Sequence, residues 1–84
     1  MLTVNVKFVA KELAPGIESG EYSVEDGSTV RELIVLCADR CGVPAPSEKS
    51  FELMYSLFDG KPATLDGALT KDGTLHVCRV VMGG

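Results

Sequence analysis

The 84-residue chain has no tryptophan, a single histidine and only three cysteines. An odd number of cysteines at unrelated spacings predicts no disulfide framework. Because a signal-peptide pattern is also missing, the sequence favours a reducing, cytoplasmic location. One histidine has no second histidine with which to share a metal, and three cysteines fall short of the four that ordinary iron-sulfur clusters need. We therefore expect no bound metal or cofactor.

Long apolar runs and basic clusters are missing as well. No apolar stretch approaches the ~20 residues needed to cross a bilayer, so we expect a soluble protein with no membrane partner. Lys and Arg number 8 against 12 Asp and Glu, which gives a net charge of -4. This balance argues against nucleic acid as a partner, since phosphate backbones are bound by clustered positive charge. A charged protein partner would present a basic docking surface.

What the sequence contains is the composition of one small globular domain. Hydrophobic residues make up 45% of the chain and charged residues 24%, as in ordinary globular proteins. We place a single domain at residues 1-81 and a flexible tail at residues 82-84. No phosphate loop, nucleophile elbow or zinc-ligand spacing occurs. The sequence therefore offers no motif for catalysis.

The first part of the chain predicts two antiparallel strands. Residues 2-8 alternate strictly between apolar and polar side chains, which indicates a strand with one buried face. A turn pair at Pro15-Gly16 follows, and alternation resumes at residues 21-25. The two strands are expected to pair antiparallel because no helix intervenes.

A helix is predicted from Thr29 to Cys41. Thr29 and Glu32 have the spacing of a capping box, in which each side chain bonds the backbone amide of the other residue. Apolar residues then recur at helical spacing as far as Cys41, and Gly42 provides a left-handed stop. Cys37 and Cys41 lie on the apolar stripe and are interpreted as packing residues.

The second half of the chain predicts a loop followed by three strands. Residues 42-50 show no periodicity and predict a surface loop, and residues 51-57 predict a third strand. Asp59-Gly60 predicts a two-residue hairpin turn, after which Pro62 confines a short fourth strand to the edge of the sheet. The last strand, residues 75-81, has apolar side chains on both faces, as is typical of a central strand.

The order of these elements predicts an α+β fold. A mixed sheet of four to five strands, with the last strand beside the first, lets one main helix pack across one face. In the third strand both faces carry bulky side chains, so its buried face is left open. The bulky side chains Leu53, Tyr55, Leu57 and Phe58 cannot all face the core, and we expect some of them, chiefly among Leu53, Leu57 and Phe58, to form an apolar docking patch for a partner. In the last strand, His76 is interpreted as a surface or interface residue and Cys78 as a buried one.

The chain ends in Met82-Gly83-Gly84, with no polar residue among them. Two residues without Cβ atoms form the thinnest peptide available, which can thread a narrow channel and bring a terminal carboxylate to the catalytic groups of another protein. The alternative is a frayed end whose glycines are incidental. Both interpretations are compatible with the tail alone. Met82 is grouped with the expected docking residues.

The chain resembles the ubiquitin-like sulfur carriers of molybdopterin and thiamine biosynthesis, which have the β-grasp fold. The matching segments are residues 4-8, the helix start at 27-33, Asp59-Gly60-Lys61, Lys71-Asp72-Gly73 and the terminal Gly83-Gly84. One departure is the absence of the proline pair that molybdopterin-type members carry shortly before the glycines. The ending is closer to the thiamine type, so the resemblance leaves the pathway open.

The resemblance implies a carrier that is not itself an enzyme and is a monomer when alone. A ubiquitin-activating-type adenylyltransferase would use ATP to adenylate the Gly84 carboxylate, and Gly83 would provide clearance. A sulfur donor protein would supply the sulfur of a thiocarboxylate, which a sulfur-accepting synthase subunit would use. Two alternatives remain: a ubiquitin-like modifier joined to lysines through Gly84, and a β-grasp binding module.

Overall fold

The chain folds into one mixed sheet with a helix across one face, and the computed structural model describes residues 1-81. Residues 82-84, predicted as the tail, lie outside the described residues. The elements are β1 Leu2–Phe8, β2 Gly20–Val24, α1 Val30–Arg40, α2 Glu48–Glu52, β3 Met54–Phe58, β4 Lys61–Ala63 and β5 Gly73–Arg79. Within residues 1-81, no helix has the length and apolar character required to traverse a bilayer.

The five strands lie in the order β2-β1-β5-β3-β4. β1 and β5 are parallel, whereas the other neighbours are antiparallel. The predicted central position of the last strand is confirmed, as is the edge position of the strand that contains Pro62. One face of the sheet meets α1, and its central side chains Val4, Val6, Leu75 and Val77 are fully buried there. This is the β-grasp arrangement that the order of elements predicts.

The boundaries of α1 follow from its caps. The Thr29 hydroxyl accepts the Glu32 backbone amide at 3.1 Å, and the Glu32 carboxylate accepts the Thr29 amide at 2.8 Å. Cys41 is the C-cap, and Gly42 follows with a φ of 71°. The predicted capping box is confirmed, and the helix differs from the prediction only in that Thr29 and Cys41 are its cap residues.

The hairpin between β3 and β4 is also as predicted. Asp59 and Gly60 have φ values of 52° and 82°, the left-handed pair that a two-residue turn of this type requires. The turn pairs Phe58 with Lys61, and the Asp59 carboxylate accepts the Thr74 amide at 2.9 Å. A side chain of the turn thus links the hairpin to β5.

The helix α2 was not predicted. Residues 42-47 form the predicted loop, but residues 48-50 are helical, as are Phe51 and Glu52, which were predicted to lie in the third strand. Ser47 caps α2 by accepting the Ser50 amide at 3.2 Å. A five-residue helix is marginal by itself. What supports α2 is contact with the rest of the fold, because Phe51 is buried in the core.

Arg31 of α1 supplies the polar part of that contact. Its guanidinium bonds the Glu48 carboxylate at 2.8 Å and lies 4.7 Å from the centre of the Phe51 ring. Arg31 therefore joins the first turn of α1 to both ends of α2 through a charge pair and a cation-π contact.

The burial pattern of β3 settles which face of the strand points inward. Met54 and Ser56 are buried, whereas Tyr55 is 46% exposed. The buried Ser56 hydroxyl has no hydrogen-bond partner within the described residues. A buried hydroxyl without a partner loses its hydration without compensation.

Replacing Ser56 by Ala is expected to stabilise the protein by about 1 kcal/mol, because it removes an uncompensated buried polar group. The free energy of unfolding is measured by urea denaturation. Ser23→Ala, on the exposed side of β2, is the matched control and is expected to change it by less than about 0.5 kcal/mol. A loss of stability in Ser56→Ala would show that the hydroxyl makes a stabilising hydrogen bond.

Candidate functional site

The C-terminal end of β5 is where the predicted tail leaves the domain. We call Arg79, Val80 and Val81 the tail base. The Val80 amide donates to the Leu53 carbonyl at 2.7 Å, and the Val81 side chain is 88% exposed. Gly83 and Gly84 lie outside the described residues. The central strand of the sheet therefore leads directly into an exposed segment, the tail base.

The sheet face opposite α1 carries a second candidate surface. Tyr55 pairs with Cys78 across β3 and β5, and Leu57 pairs with His76. Cross-strand partners point to the same face, so these side chains form one cluster, which we call the open-face patch. Its members are half-buried or exposed. An apolar group of this kind on a sheet face is a candidate contact for another protein.

The outer face of the sheet carries both signs of charge. Lys7 of β1 pairs with His76, and Glu21 of β2 pairs with Asn5 on the same face. A partner for the patch would therefore meet it chiefly with apolar side chains.

One member of the open-face patch, Tyr55, has its side-chain pKa shifted by its cross-strand neighbour. Chiefly through its hydrogen bond with the Cys78 thiol, the pKa of the Tyr55 phenol is raised above its usual value. Neutral side chains lose less hydration than charged ones when a partner covers them. Cys78, expected in the core, is half-buried on the open face.

The predicted docking residues occupy three different places. Leu57 belongs to the open-face patch, and Met82 lies outside the described residues. Leu53 is the C-cap of α2 and is half-buried beside the tail base. Phe58 lies on the α1 side of β3 and packs against the core.

Sequence reasoning missed His76 and Cys78 as neighbours of Leu57. The Asp59-Gly60 turn sets the register of β3 with β4 but not with β5. The three side chains share a face through the pairing of β3 with β5, for which the sequence carries no local signal.

The cysteines of α1 behave as packing residues. Burial raises the pKa of the Cys37 thiol to about 12, so this group stays protonated and unreactive at neutral pH. The Cys41 sulfur accepts the Glu18 amide at 3.4 Å and lies 3.4 Å from the Tyr22 hydroxyl oxygen. In residues 1-81, no cluster of His, Cys, Asp and Glu side chains has the arrangement of a metal site.

Among the solved structures that match this chain, two match over almost the whole length of both chains. One, from Pyrococcus furiosus, is described as molybdopterin converting factor subunit 1; the match has a TM-score of 0.64 at 19% identity and covers 96% of this chain and 100% of that one. The other is SAMP1 from Haloferax volcanii, with a TM-score of 0.64 at 20% identity, covering 98% of this chain and 99% of that one. The chain has the β-grasp fold.

The same fold occurs within a longer protein of different description. The structure of ATBAG1 in complex with HSP70 matches 98% of this chain but only 42% of that one, with a TM-score of 0.59 at 10% identity. No protein-family model and no curated protein matches the chain. At these identities the likeness shows the fold alone, so function has to be argued from the site.

Proposed function

We propose that the chain is a ubiquitin-like sulfur carrier whose Gly84 carboxylate is activated by a partner enzyme and converted to a thiocarboxylate. The observation that carries the proposal is the position of the tail base, exposed at the end of the central strand of a β-grasp fold. Two structures matched over nearly their whole length support it, one described as a molybdopterin converting factor subunit and the other as SAMP1.

The proposed chemistry belongs to the partners. An ionised carboxylate is a poor electrophile. In the adenylyltransferase, a Gly84 carboxylate oxygen attacks the α-phosphorus of ATP and pyrophosphate leaves. Hydrosulfide supplied by the sulfur donor then attacks the acyl carbon; AMP leaves with the electron pair of the broken bond, and loss of the sulfur-bound proton gives the thiocarboxylate. The chain is thus a co-substrate and not an enzyme, and its own tasks are to dock and to present Gly84.

The acceptor of the sulfur is proposed to be a synthase subunit in the biosynthesis of molybdopterin, thiamine or a similar cofactor. The description of the Pyrococcus furiosus neighbour favours molybdopterin as the first pathway to test. The tail sequence Arg79-Val80-Val81-Met82 lacks the proline pair of molybdopterin-type carriers, which keeps thiamine as the second.

We assign docking of the activating enzyme to the open-face patch. Leu57→Asp is expected to weaken binding to that enzyme at least about tenfold, because it places an unpaired charge in a desolvated contact. Binding is measured by titration calorimetry. Val35→Asp, which alters an apolar side chain that is 41% exposed on α1, is the matched control and should bind like the wild type. Equal binding by Leu57→Asp would remove the patch from the interface.

The function is tested by mass spectrometry of the chain after incubation with ATP, sulfide and a candidate activating enzyme. Cleavage after Arg79 releases residues 80-84, which contain no cysteine. A thiol-alkylating reagent can therefore modify this fragment only at a thiocarboxylate, whereas oxidised Met82 does not react with it. An alkylated fragment supports the carrier.

Two other results of this experiment would replace the proposal. An unmodified fragment, together with conjugates joined from Gly84 to lysines, would assign the chain as a protein modifier. An unmodified fragment without conjugates would leave a binding module, a possibility that the likeness to part of ATBAG1 also raises.

A further inference from the structure

An ion pair ties the tail base to a loop from the far end of the sequence. The Arg79 guanidinium bonds the Glu12 carboxylate at 3.3 Å, across 67 positions of sequence. Glu12 belongs to the connection between β1 and β2, residues 9-19. That connection is itself fixed to β5, because the Val9 and Ala10 amides both donate to the Val77 carbonyl, at 2.8 and 3.2 Å.

The other side of the tail base is held by α2. The Val80 amide donates to the carbonyl of Leu53, the C-cap of that helix. Since Arg31 and Phe51 fix α2 against the core, this bond connects the tail base to a rigid part of the fold. The chain therefore leaves β5 with one contact on each side, a side-chain ion pair at Arg79 and a backbone hydrogen bond at Val80.

Because the ion pair is exposed to solvent, we expect it to contribute little to the free energy of unfolding. The side chains of Arg79 and Glu12 are 49% and 55% exposed, and exposed pairs contribute little to folding. The pair lies at Arg79, the last residue of β5, directly before Val80 and Val81.

We infer that Glu12 and Arg79 are positioning residues whose ion pair, with the Val80 to Leu53 hydrogen bond, sets the direction in which the tail leaves β5 toward the activating enzyme. This inference rests on the proposed function. Both residues lie outside the open-face patch to which docking is assigned, so the affinity for the enzyme and the rate of adenylation are expected to respond differently. Loss of the pair widens the range of directions of the tail and lowers the fraction of bound complexes in which Gly84 reaches ATP.

The test is steady-state kinetics of adenylation by pyrophosphate release. Arg79→Ala and Glu12→Gln are each expected to lower kcat about two- to fivefold, with KM unchanged. This fold-change corresponds to the interaction energy typical of an exposed ion pair. The double variant should lose no more than either single variant, because both remove the same interaction. The charge exchange Glu12→Arg with Arg79→Glu should recover part of the loss. Arg40→Ala, an exposed arginine outside this contact, is the control.

Two kinetic results would overturn the inference. A loss in Arg79→Ala without a loss in Glu12→Gln would mean that Arg79 touches the enzyme directly. Unchanged kcat in both variants would mean that the pair does not position the tail.

A measurement without the enzyme separates this inference from the proposed function. Backbone ¹⁵N relaxation of Val80 and Val81 should show greater fast motion in both single variants than in the wild type. If the wild type is not adenylated at all, the proposed function fails, while the relaxation data still decide whether the pair restricts the tail base. Identical relaxation in all variants would overturn the positioning role.

Discussion

Deletion of Gly84 is expected to abolish adenylation, with a loss in kcat/KM of at least about a hundredfold. One residue of extended chain spans about 3.3 to 3.6 Å, so the carboxylate would stop short of ATP by that distance. A misplacement of even about 1 Å can cost a factor of about 100 in a positioned reaction. The measurement is pyrophosphate release with the cognate activating enzyme.

Deletion of Gly84 also distinguishes presentation of the carboxylate from docking of the domain to the activating enzyme. The open-face patch and the core lie within residues 1-81, so the deletion is expected to leave the melting temperature and the affinity for the activating enzyme unchanged. Gly83→Val, which keeps the length but adds a branched side chain, should lower kcat/KM as well. Full activity in the deletion variant would rule out Gly84 as the reacting residue.

Leu75→Ala is expected to lower the free energy of unfolding by about 3 kcal/mol, the largest stability effect predicted for this protein. Leu75 lies on the central strand, is fully buried and pairs with Val6 on one side and Phe58 on the other. A domain of this size has a total stability of roughly 4 to 13 kcal/mol. The melting temperature should fall by roughly 15 °C, measured by calorimetry.

Leu57→Ala provides the matched comparison, since it removes the same atoms from the opposite face of the neighbouring strand. We expect it to cost less than about 1 kcal/mol, because the Leu57 side chain already contacts solvent. Binding to the activating enzyme should respond in the reverse order, with the larger loss in Leu57→Ala. Equal destabilisation by the two variants would show that the open face is as tightly packed as the core.

Much of the fold follows from local signals in the sequence. The Thr29 and Glu32 capping box fixes the start of α1, and the left-handed turn at Asp59-Gly60 fixes the hairpin. Each of these features depends on residues a few positions apart, so the sequence displays them directly. The edge position of Pro62 follows in the same way, because proline has no amide to donate to a sheet neighbour.

The features that escaped prediction depend on distant contacts. α2 exists because Arg31, from another helix, bonds Glu48 and covers Phe51. In β3 the polar Ser56 is buried while the larger Leu57 faces outward, the reverse of what side-chain polarity suggests. The ion pair between Glu12 and Arg79 joins residues 67 positions apart and leaves no local pattern.

The central place of β5 has a consequence for biosynthesis. β1 and β3 both pair with β5. Neither strand can therefore form these hydrogen bonds until β5, the last of the described strands, has emerged from the ribosome. A truncated nascent chain would expose the apolar faces of both strands and would also lack the tail. If the chain is activated as proposed, Gly84 would become available only after the strand that completes the middle of the sheet.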